Sequence, residues 1–452
     1  MILKSKTSNP KIFLVVILIL AFITRSGYPL YSTVPKGHLP YLYGNALINF
    51  LNGLPLSTKI PHEGVFGLAH LESIFFILFL VPFKLIFSDT KIVLNIVPGF
   101  VGIINALGLY MFVKTLKKDE YLAIFSAFLL VFNPFHAFTT KSTTPDGLAL
   151  GLLLFLLYFL FNNKTIIAGI LSGFILLTDY MIFGHLIVIL IVFILTELNH
   201  ENIKKVGTVL LLTFLIVLPW QAYLFSISNE TSIRQFGGVS PKNIVNSQTS
   251  SIGDTVYLIP WAITPVTAFL TVFGLYIWRD EKYFRFISAS LFLFFIICFS
   301  GQIGVPPWRH LISISIFSSI ASAIFLNFIK TKRILILFFI IIIIGSYLSY
   351  PLDYFVQVPR ESQEAANWLG VNVPSESIIF SPSSVYPVLS EKPSIYDTEL
   401  CNQSDIDFVI TDENIKKFPL SYGMTGVINN ITTYKCLETI YNSTNVRIFE
   451  II

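Results

Sequence analysis

The sequence predicts a mainly α protein: a polytopic transmembrane helical bundle over residues 1–350, followed by a small soluble extracytoplasmic α/β domain over residues 351–452. Three observations predict it. The chain is 54% hydrophobic and only 12% charged, with mean hydropathy +0.73 and 43 Phe, whereas soluble domains carry about 25% charged residues. Eleven apolar runs able to span a bilayer follow one another at 12–24, 91–113, 121–140, 147–161, 165–178, 180–196, 206–225, 255–278, 286–300, 311–329 and 334–350. Charge is split between the two parts: residues 351–452 hold 6 Lys/Arg and 13 Asp/Glu, net −7, against 24 and 13, net +11, in residues 1–350. A basic membrane part with an acidic tail marks two domains.

The first run, Ile12 to Thr24, follows Lys4, Lys6 and Lys11 and is closed by Arg25, without a small-residue cleavage site, so it reads as a retained span. Several later runs fall short of the roughly 20 residues of a straight span, so adjoining residues must contribute. The connections Lys114-Thr115-Leu116-Lys117-Lys118, Lys204-Lys205, Arg279-Asp280-Glu281-Lys282 and Lys330-Thr331-Lys332-Arg333 carry the basic clusters and are placed in the cytoplasm. The expectation is a multi-pass plasma-membrane protein with a cytoplasmic amino terminus. Loops 25–67, 141–146, 226–254 and 301–310, and the tail, then lie outside. The apolar run Leu68 to Phe87 has both ends outside on this count, and should lie along the interface or dip in and return, with Pro82 bending it and Lys84 reaching for headgroups. An ordinary span there is the alternative. Asp179, between two apolar runs, is either a functional intramembrane acid or the polar turn of a two-span corner, and the turn is favoured.

In the tail, Glu361 to Leu369 has a helical pattern, while Ser377-Ile378-Ile379-Phe380, Phe408-Val409-Ile410 and Val446-Arg447-Ile448-Phe449 read as strands. Glycan acceptor tripeptides occur at Asn229, Asn402, Asn430 and Asn442. Cys401 and Cys436 both fall in the tail and could pair outside the cytoplasm, while Cys298 lies in an apolar run.

No nucleotide-phosphate loop, dinucleotide-binding glycine pattern or Cys/His metal spacing occurs, so nucleotide-sugar and ATP chemistry is unsupported, and nothing calls for a nucleic-acid partner. Polar residues collect instead in three outer clusters. The first loop holds Arg25, Lys36, His38, Tyr41, Tyr43, Asn45, His62 and Glu63; the second holds His136, Lys141 and Asp146; the third is Trp308-Arg309-His310 before a span. These are the components of glycosyl transfer from a polyprenyl phosphate. A carboxylate can take or orient the proton of the acceptor hydroxyl, a basic group can neutralise the leaving phosphate, and aromatic rings can stack on a sugar. The bland readings are that Asp146 caps the helix it opens, and that Trp308 and the tyrosines form an interfacial belt with Arg309 snorkelling to headgroups. Glu63 and Asp146, with His38 or His62, could share a divalent ion, so a metal is an open expectation and no other cofactor is called for.

The ordered motifs resemble the GT-C superfamily of membrane glycosyltransferases, especially the branch of protein O-mannosyltransferases and aminoarabinose transferases. The matching features are Arg25 closing the first span; Tyr41 to Gly53; the apolar segment after Glu63; Asn133-Pro134 followed by Thr144-Pro145-Asp146-Gly147-Leu148-Ala149-Leu150; Ala168-Gly169-Ile170-Leu171-Ser172-Gly173-Phe174; and Arg309-His310-Leu311-Ile312-Ser313. The resemblance implies about 11–13 helices and an inverting transferase. Its donor would be a dolichyl- or undecaprenyl-phosphate sugar and its acceptor a glycan, lipid or protein, with membrane lipids around it. Glu63 and Asp146 resemble the family's acids, and Arg309 its basic residue before a late span. The family's acid early in the first loop has no counterpart, since no acid lies between Arg25 and His62. His38 is therefore added to Glu63 and Asp146 as a candidate catalytic group because its pKa is near neutrality. Arg309, Trp308, His310, Lys141, Arg25, Tyr41 and His62 are the candidate substrate contacts. The missing acid also keeps open a non-catalytic protein of the same fold that binds lipid-linked sugars or assists glycan assembly. A secondary transporter is a third reading, though no internal repeat supports it.

Overall fold

The computed structural model describes residues 9–31, 39–54, 73–197, 200–227, 259, 263–300, 310–329, 331–348, 358–381, 385–394, 406–412, 436–443 and 445–451. Each of the eleven apolar runs contributes a helix. They are α1 (Pro10–Tyr31), α4 (Thr90–Lys117), α5 (Glu120–Val131) with α6 (Pro134–Thr140), α7 (Pro145–Phe161), α8 (Thr165–Leu176), α9 (Tyr180–Thr196), α10 (His200–Ile227), α11 (Pro265–Trp278), α12 (Phe284–Ser300), α13 (Leu311–Phe328) and α14 (Lys332–Leu348). Between α1 and α4 lie α2 (Leu39–Leu51) and α3 (Ile74–Phe87), and the tail adds α15 (Arg360–Asn372) and α16 (Val385–Ser390). Thr90–Lys117, His200–Tyr223 and Leu311–Phe328 are each long and apolar enough to cross a membrane. Ile12, Val15, Val16, Ile19 and Ile23 of α1 are exposed, as are Leu211, Phe214, Leu215 and Leu218 of α10. Spaced three and four apart, they make one-sided apolar stripes that water penalises and lipid does not.

By internal contacts the chain divides into two compact units, one from residues 1–28, 98–141 and 145–351, the other from 29–97, 142–144 and 352–452. In the first, α13 is the central helix, buried along most of its length and packed by α5, α6, α11 and α12. Asp119 fixes one end of this group. Its Oδ1 accepts the Tyr121 and Leu122 amides at 3.0 and 3.2 Å to cap α5, and its Oδ2 accepts the Asn327 side chain at 2.9 Å near the end of α13. Since α5 begins where α13 ends, the two run antiparallel. Helices α11 and α13 approach closely at Gly274 of α11, where an added Cβ would collide with the Ala321 carbonyl of α13. Gly274→Ala is expected to force these helices apart and destabilise the bundle by about 1–3 kcal/mol, read as a lower unfolding midpoint in detergent.

The run 121–140 is not one straight helix. It bends by 67° between α5 and α6, because Pro134 has no amide to continue the ladder and Asn133 starts a new helix by accepting the His136 amide at 2.9 Å. Asp179 is the cap of α9, accepting the Met181 and Ile182 amides at 2.9 and 2.8 Å, which agrees with its reading as a corner.

The second unit joins α2, α3 and the start of α4 to the tail. Asn49 donates to the Ser394 carbonyl at 2.8 Å and accepts its amide at 3.0 Å, while Asn45 accepts the Ser394 hydroxyl at 2.9 Å. Tyr41, Ile48 and Leu94 share an apolar core with Leu369, Tyr386 and Val388. Lys84 does not reach for headgroups as expected: its ammonium meets Glu391 at 2.6 Å, and the same carboxylate accepts the Thr90 amide at 2.5 Å at the start of α4. The tail sheet has the order β1-β2-β4-β3, with β1 (Ile379–Phe380) parallel to β2 (Phe408–Asp412), and β3 (Leu437–Asn442) and β4 (Val446–Ile451) antiparallel. Helix α15 buries Ser362, Ala365, Ala366 and Leu369, one face at helical spacing. Strand β3 was not expected, because as an edge strand it keeps polar, half-exposed residues that lack a buried alternation. Cys436 is disulfide-bonded and Cys298 is free and buried; Cys401 lies outside the described residues.

Candidate functional site

The break between α5 and α6 leaves carbonyls at the end of α5 without helical partners, and Arg25 of α1 reaches it. Its Nη1 donates to the Val131 carbonyl at 2.9 Å and to Thr24 Oγ1 at 2.6 Å, its Nε to Thr140 Oγ1 at 3.2 Å, and its Nη2 to His136 Nδ1 at 3.0 Å. A cation at the carboxyl end of a helix also meets the negative end of its dipole. Arg25 is fully buried, and α4 makes room for it at Gly102, where a Cβ would lie 2.7 Å from Arg25 Cδ. Because a guanidinium only donates, Nδ1 of His136 must accept, so the neutral ring carries its hydrogen on Nε2. That nitrogen is buried, with no hydrogen-bond partner among the described residues. The sequence placed Arg25 and His136 in separate loops; the fold joins them.

Asp146 stands in the first turn of α7, half-buried, beside Pro145 at the first helical position. It is therefore one turn position inside the cap, where its charge faces the positive end of the helix dipole. The next residue, Gly147, is held from two sides. Its carbonyl accepts the Asn105 amide at 2.9 Å, and a Cβ there would lie 2.8 Å from Val101 and 3.4 Å from Thr140. Thr140 is also a partner of Arg25. The turn carrying Asp146 thus abuts the residue that Arg25 holds, and α1, α4, α6 and α7 converge there. Lys141 ends α6 and is half-buried.

A second polar group sits where α9 meets α13. His185 Nε2 and His310 Nδ1 are 2.8 Å apart, and His185 Nδ1 lies 2.9 Å from Ser313 Oγ. The Phe294 ring packs edge-on against His185 at 5.1 Å. His310 was a candidate from sequence. His185 was not, since a lone histidine inside an apolar run reads as a core residue; its one signal was its place six residues after the Asp179 corner.

Tyr41 lies in the other unit, 1% exposed, within the apolar core described above. His38, His62, Glu63, Trp308 and Arg309 lie outside the described residues. Among the described residues no three His, Cys, Asp or Glu gather as a metal site. The proposed partner of Asp146 in such a site, Glu63, is not among them.

No protein-family model matches the sequence, and no curated protein matches it. Solved structures do match. The crystal structure of ArnT from Cupriavidus metallidurans bound to undecaprenyl phosphate superposes with TM-score 0.65 at 11% identity, covering 98% of each chain. The fold is that of ArnT. Its apo crystal structure gives TM-score 0.64 at 10% identity over 97% of each chain. The arabinofuranosyltransferase AftD from Mycobacteria gives 0.56 at 11% identity, covering 98% of this chain and 40% of AftD. The ArnT likeness runs through both units and takes in the tail as well as the helices, as the sequence resemblance implied.

Proposed function

We propose that this chain is an integral membrane glycosyltransferase that moves a sugar from a polyprenyl phosphate to an acceptor on the extracytoplasmic face. The observation that carries this reading is the end-to-end fold match to ArnT, a protein crystallised with undecaprenyl phosphate. The polar convergence at Asp146, Thr140 and Arg25 supports it. The acceptor oxygen forms a bond to the anomeric carbon, the bond from that carbon to the phosphate oxygen breaks, and the electron pair leaves on the lipid phosphate. Asp146 orients the acceptor hydroxyl or takes its proton. Lys141 and Arg309 neutralise the leaving phosphate, Trp308 and His310 line the sugar, and Glu63, His38 and His62 complete the site from the first loop. The basic loops put the amino terminus in the cytoplasm and residues 351–452 outside.

The missing early acid of the first loop favours a second reading, a non-catalytic protein of this fold that binds lipid-linked sugar. Deleting the gene and comparing surface glycans by mass separates the two when joined to a binding measurement. Loss of one sugar from a glycan, together with binding of undecaprenyl phosphate by the purified protein, is the expected result. Binding with unchanged glycans selects the second reading, and neither effect removes both.

A further inference from the structure

We propose that Asn105 is a positioning residue for Asp146: its side-chain amide fixes the register of α7 against α4, and with it the place of the carboxylate. This rests on the transferase reading above, in which Asp146 orients the acceptor hydroxyl or takes its proton. Asn105 lies midway along α4, inside the apolar run 91–113, and is fully buried. Its Nδ2 donates to the Val101 carbonyl of its own helix at 2.8 Å and to the Gly147 carbonyl of α7 at 2.9 Å. Gly147 follows Asp146 directly, so the amide grips α7 one residue from the carboxylate. On its other side Gly147 abuts Thr140 of α6, which Arg25 holds.

The neighbouring contacts between α4 and α7 set glycines against aliphatic side chains. A Cβ would lie 2.8 Å from Val101 at Gly147, 2.6 Å from Ile104 at Gly151 and 2.9 Å from Leu154 at Gly108. Such contacts bring the helices close, but apolar burial is non-directional. A hydrogen bond to one carbonyl has a direction, and a buried asparagine at a helix seam sets register at a cost in stability. That cost is present here. Asn105 Oδ1 is buried, with no hydrogen-bond partner among the described residues, whereas a leucine of similar outline would bury no polar atom. Neither carbonyl needs the amide, because Val101 and Gly147 both lie within helices and accept the amide of the fourth residue on. A side chain that neither helix requires, and whose oxygen is unsatisfied, contributes register rather than packing.

The test uses full-length protein in lipid nanodiscs for unfolding and for binding of undecaprenyl phosphate. Gene-deleted cells carrying each variant report transfer, read as glycan mass and divided by the amount of folded protein. Asn105→Leu is expected to unfold at or above the wild-type midpoint and to bind undecaprenyl phosphate as wild type does. It should nevertheless transfer about 10- to 100-fold less, as small displacements of a reacting group do. Asn105→Ser, whose hydroxyl bonds back to its own helix and is too short to reach Gly147, should show the same loss and serves where Asn105→Leu does not fold. Asp146→Glu separates positioning from packing. Its extra methylene already displaces the carboxylate, so adding Asn105→Leu to it should lower transfer by no more than about threefold, far below the product of the single losses. A lowered midpoint with wild-type transfer per folded molecule makes Asn105 a packing residue and overturns the assignment, as does a further loss in the double variant equal to that of Asn105→Leu alone. Failure of the wild type to bind undecaprenyl phosphate, with unchanged glycans on deletion, instead overturns the transferase reading beneath it.

Discussion

Asp146→Asn is expected to lower sugar transfer by about 100- to 10,000-fold and to leave the amount of folded protein unchanged. Asn keeps the shape of the side chain, so the fit of Pro145 and Gly147 against Val101 and Thr140 is not disturbed, and the Asn105 bond to the Gly147 carbonyl involves only backbone on that side. What is lost is the negative charge. Structurally that charge is worth about 0.3–1 kcal/mol in the first turn of a helix, too little to unfold a bundle of this size. Chemically it is decisive, because either proposed role, orienting the hydroxyl or taking its proton, requires an anion. Glycan mass in gene-deleted cells complemented with the variant, beside its unfolding midpoint, checks both halves. A variant that restores normal glycan removes Asp146 from the chemistry and returns it to helix-end electrostatics.

The difference between what was legible in the sequence and what was not follows interaction range. Hydropathy finds helices because each buries its own backbone polar groups, so every apolar run from 12–24 to 334–350 contributes one. The α5–α6 break escaped notice although Asn133-Pro134 signals it, because hydrophobicity continues across the bend. Arg25 and His136 were both recognisable as polar residues in an apolar setting, but their bond spans 111 positions, and no local pattern encodes it. The same holds for His185 with His310, 125 residues apart, and for Asn49 with Ser394, 345 apart. In the tail, buried strands were readable by composition, whereas β3, polar and largely exposed at the end of the described strand order, was not. Sequence spacing reveals which residues are unusual; the helix packing decides which of them meet.

Arg25 shows how much depends on that distinction. From sequence it is a candidate contact for substrate; in the fold its guanidinium is 0% exposed and bonded to Val131, Thr140, Thr24 and His136. The two roles predict different losses. As a staple across the helix break, Arg25→Ala should lower stability by about 2–4 kcal/mol, from several buried hydrogen bonds worth about 0.6–1 kcal/mol each and the unpaired carbonyl left behind. Arg25→Lys should recover only part of this, since one ammonium cannot reproduce the planar fork that reaches Val131, Thr140 and His136 together. Unfolding in detergent should therefore rank wild type above Lys and Lys above Ala. Undecaprenyl phosphate binding by the folded fraction of Arg25→Lys should match wild type. If instead both variants unfold at the wild-type midpoint and fail to bind, the guanidinium serves the lipid phosphate, and the break at Asn133-Pro134 is held by Asn133 and Pro134 alone.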